Sequence, residues 1–242
     1  MSRLSVLTEG QGAWRIGPSD EAYPEGLLRL SRAPVLFVLG NADLLTQPCI
    51  GICGSRSATP HALSHAGEIG YLAAKQGFVV VSGYARGVDV AAHLGAMEAG
   101  GATIAVLAEG IESFRVRGEL RGKLDRHNFL AVSPFAPEAR WVAWRAMERN
   151  QYIVGLSWAL FVIEAREKGG TFEAGLECLR QRKPLWVIEY DQGGLQREGN
   201  AKLIAAGGVP IRGRRVLKNL LEEARLATHP KQERLALSIA ES

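Results

Sequence analysis

The feature that most constrains the fold of this chain is the alternation of short, continuously apolar runs with longer stretches of helical period. The apolar runs are Val35 to Leu39, Cys49 to Cys53, Phe78 to Ser82, Thr103 to Leu107, Phe129 to Val132, Ala159 to Ile163 and Leu185 to Ile188. A strand that is apolar on both faces must be covered on both faces, as in a parallel sheet wrapped by helices. Between the runs, apolar residues recur at three- and four-residue steps over Ala62 to Gln76, Val88 to Glu98, Ala143 to Leu156 and Thr171 to Arg182, which predicts helices there. Gly77 and Gly100 stand where left-handed C-terminal caps belong, and Pro184 follows another helix end. The pattern predicts an α/β protein with a parallel or mixed sheet and helices on both faces. The expected division is an N-terminal extension over residues 1–22, a core over 23–211 and a C-terminal helical tail over 212–242, with both ends outside the sheet.

Composition excludes several classes. With 47% apolar and 22% charged residues the chain is neither disordered nor fibrous. Its longest apolar runs, such as Trp158 to Ile163, fall far below the ~20 residues of a membrane helix. No apolar segment with a small-residue cleavage site follows Met1-Ser2-Arg3-Leu4, so a cytoplasmic location without membrane contact is expected. Cys49, Cys53 and Cys178 cannot all pair, in keeping with a reducing compartment, and no second Cys or His pair stands at metal-ligand spacing. Neither a metal nor a cofactor is expected. The net charge of +4 favours anionic partners. Basic residues cluster at Arg115, Arg117, Arg121, Lys123 and Arg126 and again at Arg212, Arg214, Arg215 and Lys218, each read as a solvated face.

In an open parallel sheet, ligands settle where strands end and helices begin, because helix N-terminal amides point at an anion. Three such turns are unusual. Gly54-Ser55-Arg56-Ser57-Ala58-Thr59-Pro60 offers close backbone approach, hydroxyls, a guanidinium fork and a proline suited to a first helical turn. Ser82-Gly83-Tyr84-Ala85-Arg86-Gly87-Val88-Asp89 leads into a helix on which Asp89 and His93 share a face, and both are read as structural. Lys168-Gly169-Gly170-Thr171-Phe172-Glu173 puts paired glycines before a helix, with Thr171 as the expected N-cap.

The order of these turns, with Tyr23-Pro24, Pro34-Val35-Leu36, Gly40-Asn41, Ala92-His93, Arg149-Asn150, Gly155-Leu156-Ser157, Glu164-Ala165 and Gly199-Asn200 around them, resembles the DNA-processing protein A (DprA/Smf) family. That resemblance implies a Rossmann-like core, binding of single-stranded DNA, a homodimer and delivery of the strand to a RecA-type recombinase in recombination or DNA uptake. It implies phosphate contact by Arg56, a pocket lined by Ser82, Gly83 and Arg86, and proximity of Arg149 and Asn150 to DNA; the composition of the turns themselves adds Gly54, Ser55, Gly87, Gly169, Gly170 and Thr171 as expected phosphate-site residues. The chain departs from the family pattern where Phe-Pro becomes Ala146-Met147 and Tyr-Pro becomes Phe114-Arg115.

Two other functions compete. Gly169-Gly170-Thr171-Phe172-Glu173 resembles part of a phosphoribohydrolase signature, which makes Glu173 the candidate catalytic residue of a nucleotide-hydrolysing enzyme. The same pocket could instead hold a small nucleotide in a sensing module. The non-enzymatic readings rank first, because one signature glycine is missing and the Glu spacing is one residue short.

Overall fold

The computed structural model describes residues 13–191 and 197–228. Its strands are β1 (Trp14–Ile16), β2 (Leu36–Gly40), β3 (Cys49–Cys53), β4 (Val79–Gly83), β5 (Thr103–Val106), β6 (Phe129–Ser133), β7 (Ala159–Val162), β8 (Leu185–Ile188) and β9 (Val209–Ile211). The α-helices are α1 (Glu25–Leu28), α2 (Pro60–Lys75), α3 (Val88–Glu98), α4 (Ala143–Leu156), α5 (Gly170–Arg180), α6 (Glu198–Ala205) and α7 (Arg214–Thr228).

One sheet runs in the order β1-β2-β6-β5-β4-β3-β7-β8-β9. It is parallel from β6 to β9, while β2 pairs antiparallel with both β1 and β6. The strand side chains divide between the faces with period two. Cys49, Cys53, Val79, Val81, Leu160 and Val162 pack against residues of α1, α4, α5 and α6. Ile50, Ile52, Val80, Ala159, Phe161 and Ile163 pack against α2, α3 and α7. A third cluster, with Leu107, Ile111, Phe114, Leu120 and Leu124, anchors the long β5–β6 connection over Phe129 and Ala131.

The expected strands and helices form within a residue or two of the stated bounds, and the sheet is mixed. Trp14–Ile16 enters the sheet beside β2, so the ordered layer starts before Tyr23. Likewise α7 packs Leu217, Leu221 and Ala224 into the core. β9 closes the other edge with Pro210 at its centre, where a residue without an N–H is tolerated. No helix among the described residues is long and apolar enough to cross a membrane.

Candidate functional site

Strands β3, β4 and β7 are parallel neighbours at the middle of the sheet, so the turns after them meet at their shared C-terminal end. They border a cavity of about 440 Å³. The turn after β3 contributes Gly54, Ser55, Arg56 and Ser57; the turn after β4 contributes Ala85, with Asp89 behind it; and the segment after β7 contributes Glu164, Arg166, Lys168, Gly169, Gly170 and Thr171. α4 lies across the open side with Ala146, Met147, Arg149 and Asn150, and Trp141 precedes it.

Local chemistry fixes each wall. Thr59 caps α2 by accepting from the Ala62 amide, with Pro60 in the first turn, so the chain leaves β3 in a defined direction. The Ser55 hydroxyl accepts from the Ser57 amide. A Cβ on Gly54 would meet Val88 at 2.4 Å, so this glycine lets the β3 turn seat against the start of α3. Arg56 is exposed, with its guanidinium carbon 5.5 Å from the centre of the Trp141 ring. That stacking orients the fork without neutralising it.

Arg149 is the buried cation of the site, at 6% exposure. Its Nη2 lies 3.7 Å from Asp89 Oδ2, which also accepts from the Ala85 amide. The guanidinium lies directly over Gly83, where a Cβ would come within 1.6 Å of Nη1. A side chain at this position would displace the Arg149 guanidinium. Nε of Arg149 has no hydrogen-bond partner, and neither has Oε1 of the fully buried Glu164. The other Glu164 oxygen accepts from Thr59 Oγ1 at 2.9 Å and lies 3.8 Å from Arg197 Nε. A buried ion pair with unsatisfied atoms on a cavity wall is costly to maintain.

His93 is fully buried. Its Nε2–H donates to the Gly83 carbonyl at 2.7 Å, and Nδ1 lies 2.6 Å from the Thr103 hydroxyl. Burial pulls the imidazole pKa down, with the Gly83 bond opposing. His93 is therefore a strut between β4 and β5 that does not line the cavity, and Asp89, which does, is the counterion of Arg149.

Not every expected pocket residue faces the cavity. Ser82 is fully buried and donates to the Ile52 carbonyl, tying β4 to β3. Gly83 lies beneath Arg149, and Gly87 takes a φ of +79° where the turn enters α3. Arg86 faces a neighbouring cavity. Asn150 donates from Nδ2 to the Gly170 carbonyl at 2.7 Å and so braces α4 against the start of α5. Thr171 is not the N-cap: Gly169, with φ +132°, makes the turn and α5 begins at Gly170. Glu173 is exposed on α5, 3.4 Å from Arg180, and does not line the cavity. Trp141, Glu164, Arg166 and Lys168 were missed as lining residues, although the interleaving of Arg140, Trp141, Trp144 and Arg145 is a visible signal of a surface suited to stacking and cation contact.

The cysteines are buried and free, with thiol pKa values pushed up to about 12 by burial, and among the described residues no group of His, Cys, Asp and Glu is placed to hold a metal ion.

A mixed α/β sheet carrying an arginine-bearing cavity at the C-terminal ends of its central strands defines a Rossmann-like α/β protein. The chain belongs to the DNA recombination-mediator protein A family, whose model matches residues 14–223. It is 30% identical over 215 residues to the Bacillus subtilis DNA processing protein DprA, covering 87% of this chain and 72% of that one. It is 32% identical over 171 residues to the Streptococcus pneumoniae protein of the same name, covering 70% of this chain and 60% of that one. With Protein Smf of Escherichia coli it shares 29% identity over 208 residues, 84% of this chain and 56% of that one. The match thus spans little more than half the length of some of these relatives. The X-ray structure of the Streptococcus pneumoniae protein superposes with a TM-score of 0.75 at 28% identity, covering 83% of this chain and 71% of that one. A Helicobacter pylori DNA processing protein A, described for its single-stranded DNA binding mode, superposes with a TM-score of 0.76 at 23% identity, covering 89% of this chain and 97% of that one.

Proposed function

We propose that this chain binds single-stranded DNA and serves DNA processing and recombination. The observation that carries the reading is the pairing of two arginines on one cavity: Arg56, held by Trp141 and without a carboxylate partner among the described residues, and Arg149, held by Gly83 and Asp89. Forks of this kind grip phosphates without reading sequence, and an adjacent aromatic ring stacks any base. Family membership and the Helicobacter pylori neighbour support the same ligand. Within this reading, Gly54, Ser55, Arg56, Arg149, Gly169, Gly170 and Thr171 form the phosphate site. Gly83, Gly87, Ser82 and Asn150 position it, and Arg86 extends it.

Electrophoretic mobility shift with single- and double-stranded DNA over a salt series tests the proposal. A preference for the single strand that weakens with salt is expected, and no such preference at low salt overturns it. The reading extends to a cytoplasmic homodimer that delivers the strand to a RecA-type recombinase, checked by light scattering and by co-purification with such a recombinase.

A second reading, a small-nucleotide sensor, is favoured by the cavity volume of about 440 Å³, within the range of small-molecule sites. Thermal shift against a nucleotide panel separates the two, because a ligand at a hundredfold its Kd stabilises the fold by about 2.7 kcal/mol.

A further inference from the structure

Glu164 is the one group on the wall of the 440 Å³ cavity that a phosphate has no use for. The residue is fully buried, and its Oε2 accepts from Thr59 Oγ1 at 2.9 Å with Arg197 Nε 3.8 Å away. Its Oε1 has no hydrogen-bond partner among the described residues, although Glu164 lines the cavity. A buried acceptor in that state is costly, and a ligand that brings a donor to it removes the cost. The donor does not come from a phosphate, whose like charge the carboxylate repels, but from a neutral O–H or N–H group.

The strand register says which group of a nucleotide reaches this oxygen. β7 runs parallel to β3 with Val162 beside Cys53, and the Ile163 amide donates to the Cys53 carbonyl at 3.0 Å. Gly54 opens its turn one residue beyond Cys53 and Glu164 stands one residue beyond Ile163, so the carboxylate leaves its strand beside the glycine turn. A Rossmann sheet holds a nucleotide with this arrangement: the phosphate lies on the glycine turn and a helix N-terminus, while an acidic side chain nearby accepts from the ribose 2′-hydroxyl. Both phosphate elements are present, since Arg56 stands in the turn after β3 and α5 starts at Gly170 without a side-chain cap on its first amides.

We infer that the cavity takes a free ribonucleotide, with the 2′-hydroxyl on Glu164 Oε1 and the phosphate between the Arg56 turn and the start of α5. This rests on the small-nucleotide reading above and names its ligand class. A ribonucleotide seated in this way competes with any strand that needs Arg56.

Isothermal titration calorimetry of the wild-type chain with AMP and 2′-deoxy-AMP is the test. AMP is expected to bind about tenfold or more tightly than its deoxy analogue, as one hydrogen bond to a charged group provides. In Glu164→Gln the ratio falls severalfold, because a neutral amide is the weaker acceptor, whereas Glu173→Gln, on the exposed face of α5, keeps it. A Glu164 that only braces the end of β7 changes both affinities alike and leaves the wild-type ratio near one. Melting curves check that both variants fold, and if Glu164→Gln does not, the wild-type ratio decides alone.

Equal binding of AMP and 2′-deoxy-AMP overturns the ribose contact and leaves the small-nucleotide reading standing. Binding of neither overturns both. Oligouridylate and oligodeoxyuridylate form the second arm: if these two differ in affinity while AMP and 2′-deoxy-AMP do not, the ribose belongs to an RNA strand and the free ribonucleotide is overturned.

Discussion

Two corners of the molecule carry arginines beside a cavity, and only one is suited to an anion. Where β8, β9, α2 and α7 meet, a cleft of about 560 Å³ is lined by His61, His65, Glu68, Glu189, Arg212 and Arg214. It is larger than the cavity above β3, β4 and β7, yet its charges are already matched. Arg214 Nε lies 2.7 Å from Glu68 Oε1, and Arg212 pairs with Glu189. His61 and His65 lie with ring centres 4.3 Å apart, and burial together with the His61 charge lowers the His65 pKa. At the other corner, Arg56 and Arg117 rest on aromatic rings, with no carboxylate in salt-bridge contact among the described residues. Size and cation count are therefore poor guides, and what decides is the chemistry of the group that orients each cation.

If orientation is the deciding variable, removing Arg149 has the largest effect. Arg149→Met strands Asp89, itself 5% exposed, and is expected to cost about 3–5 kcal/mol of stability in urea unfolding. Asp89→Leu in the same chain recovers much of that loss. A small loss for the single variant would mean that the pair is not what holds the wall.

Lys183 shows the same rule with carbonyls as partners. Its Nζ donates to the Val154, Gly155 and Ser157 carbonyls at the end of α4, at 2.6 to 2.9 Å. Lys183→Met leaves these acceptors without their donor and is expected to cost about 2–4 kcal/mol. Burial lowers the ammonium pKa to about 8, below its ordinary 10.5. The unfolded chain therefore binds more protons between those values, and this group's contribution makes stability rise with pH across that window. Urea midpoints of wild type and Lys183→Met from pH 8 to about 10.5 check it, the variant lacking the rise.

Arg56→Ala is expected to weaken single-strand binding by about 1.5–3 kcal/mol with the melting curve unchanged, and Arg56→Lys to recover part of it. Equal affinity of wild type and Arg56→Ala across a salt titration rejects its phosphate role. The smallest effect belongs to the matched corner: Arg214→Ala removes an exposed pair, costing at most about 1 kcal/mol of stability and leaving DNA affinity unchanged.

Much of this was legible in the chain. Continuous apolar runs announce strands buried on both faces, and Gly54, Gly83 and Gly170 announce that β3, β4 and β7 end in turns at their shared C-terminal end. The missed elements are the short ones: β1 and β9 have three residues each, α1 has four and α6 has eight. Which residues line the cavity was less legible, because lining depends on contacts far apart in sequence. Ser82 is drawn inward by the Ile52 carbonyl, whereas Trp141 and Arg117 are brought to the wall by segments with no regular period. The two basic clusters read alike as solvated faces, and only the carboxylates opposite Arg212 and Arg214 separate them from Arg117.

Pro210 bears on how copies of this chain could meet. A three-residue outer strand with a proline at its centre offers at most two amide donors to any newcomer, too few to template a further strand. Growth of the sheet from one molecule into the next is blocked at that margin, and with it one route from a locally opened molecule to an ordered fibril.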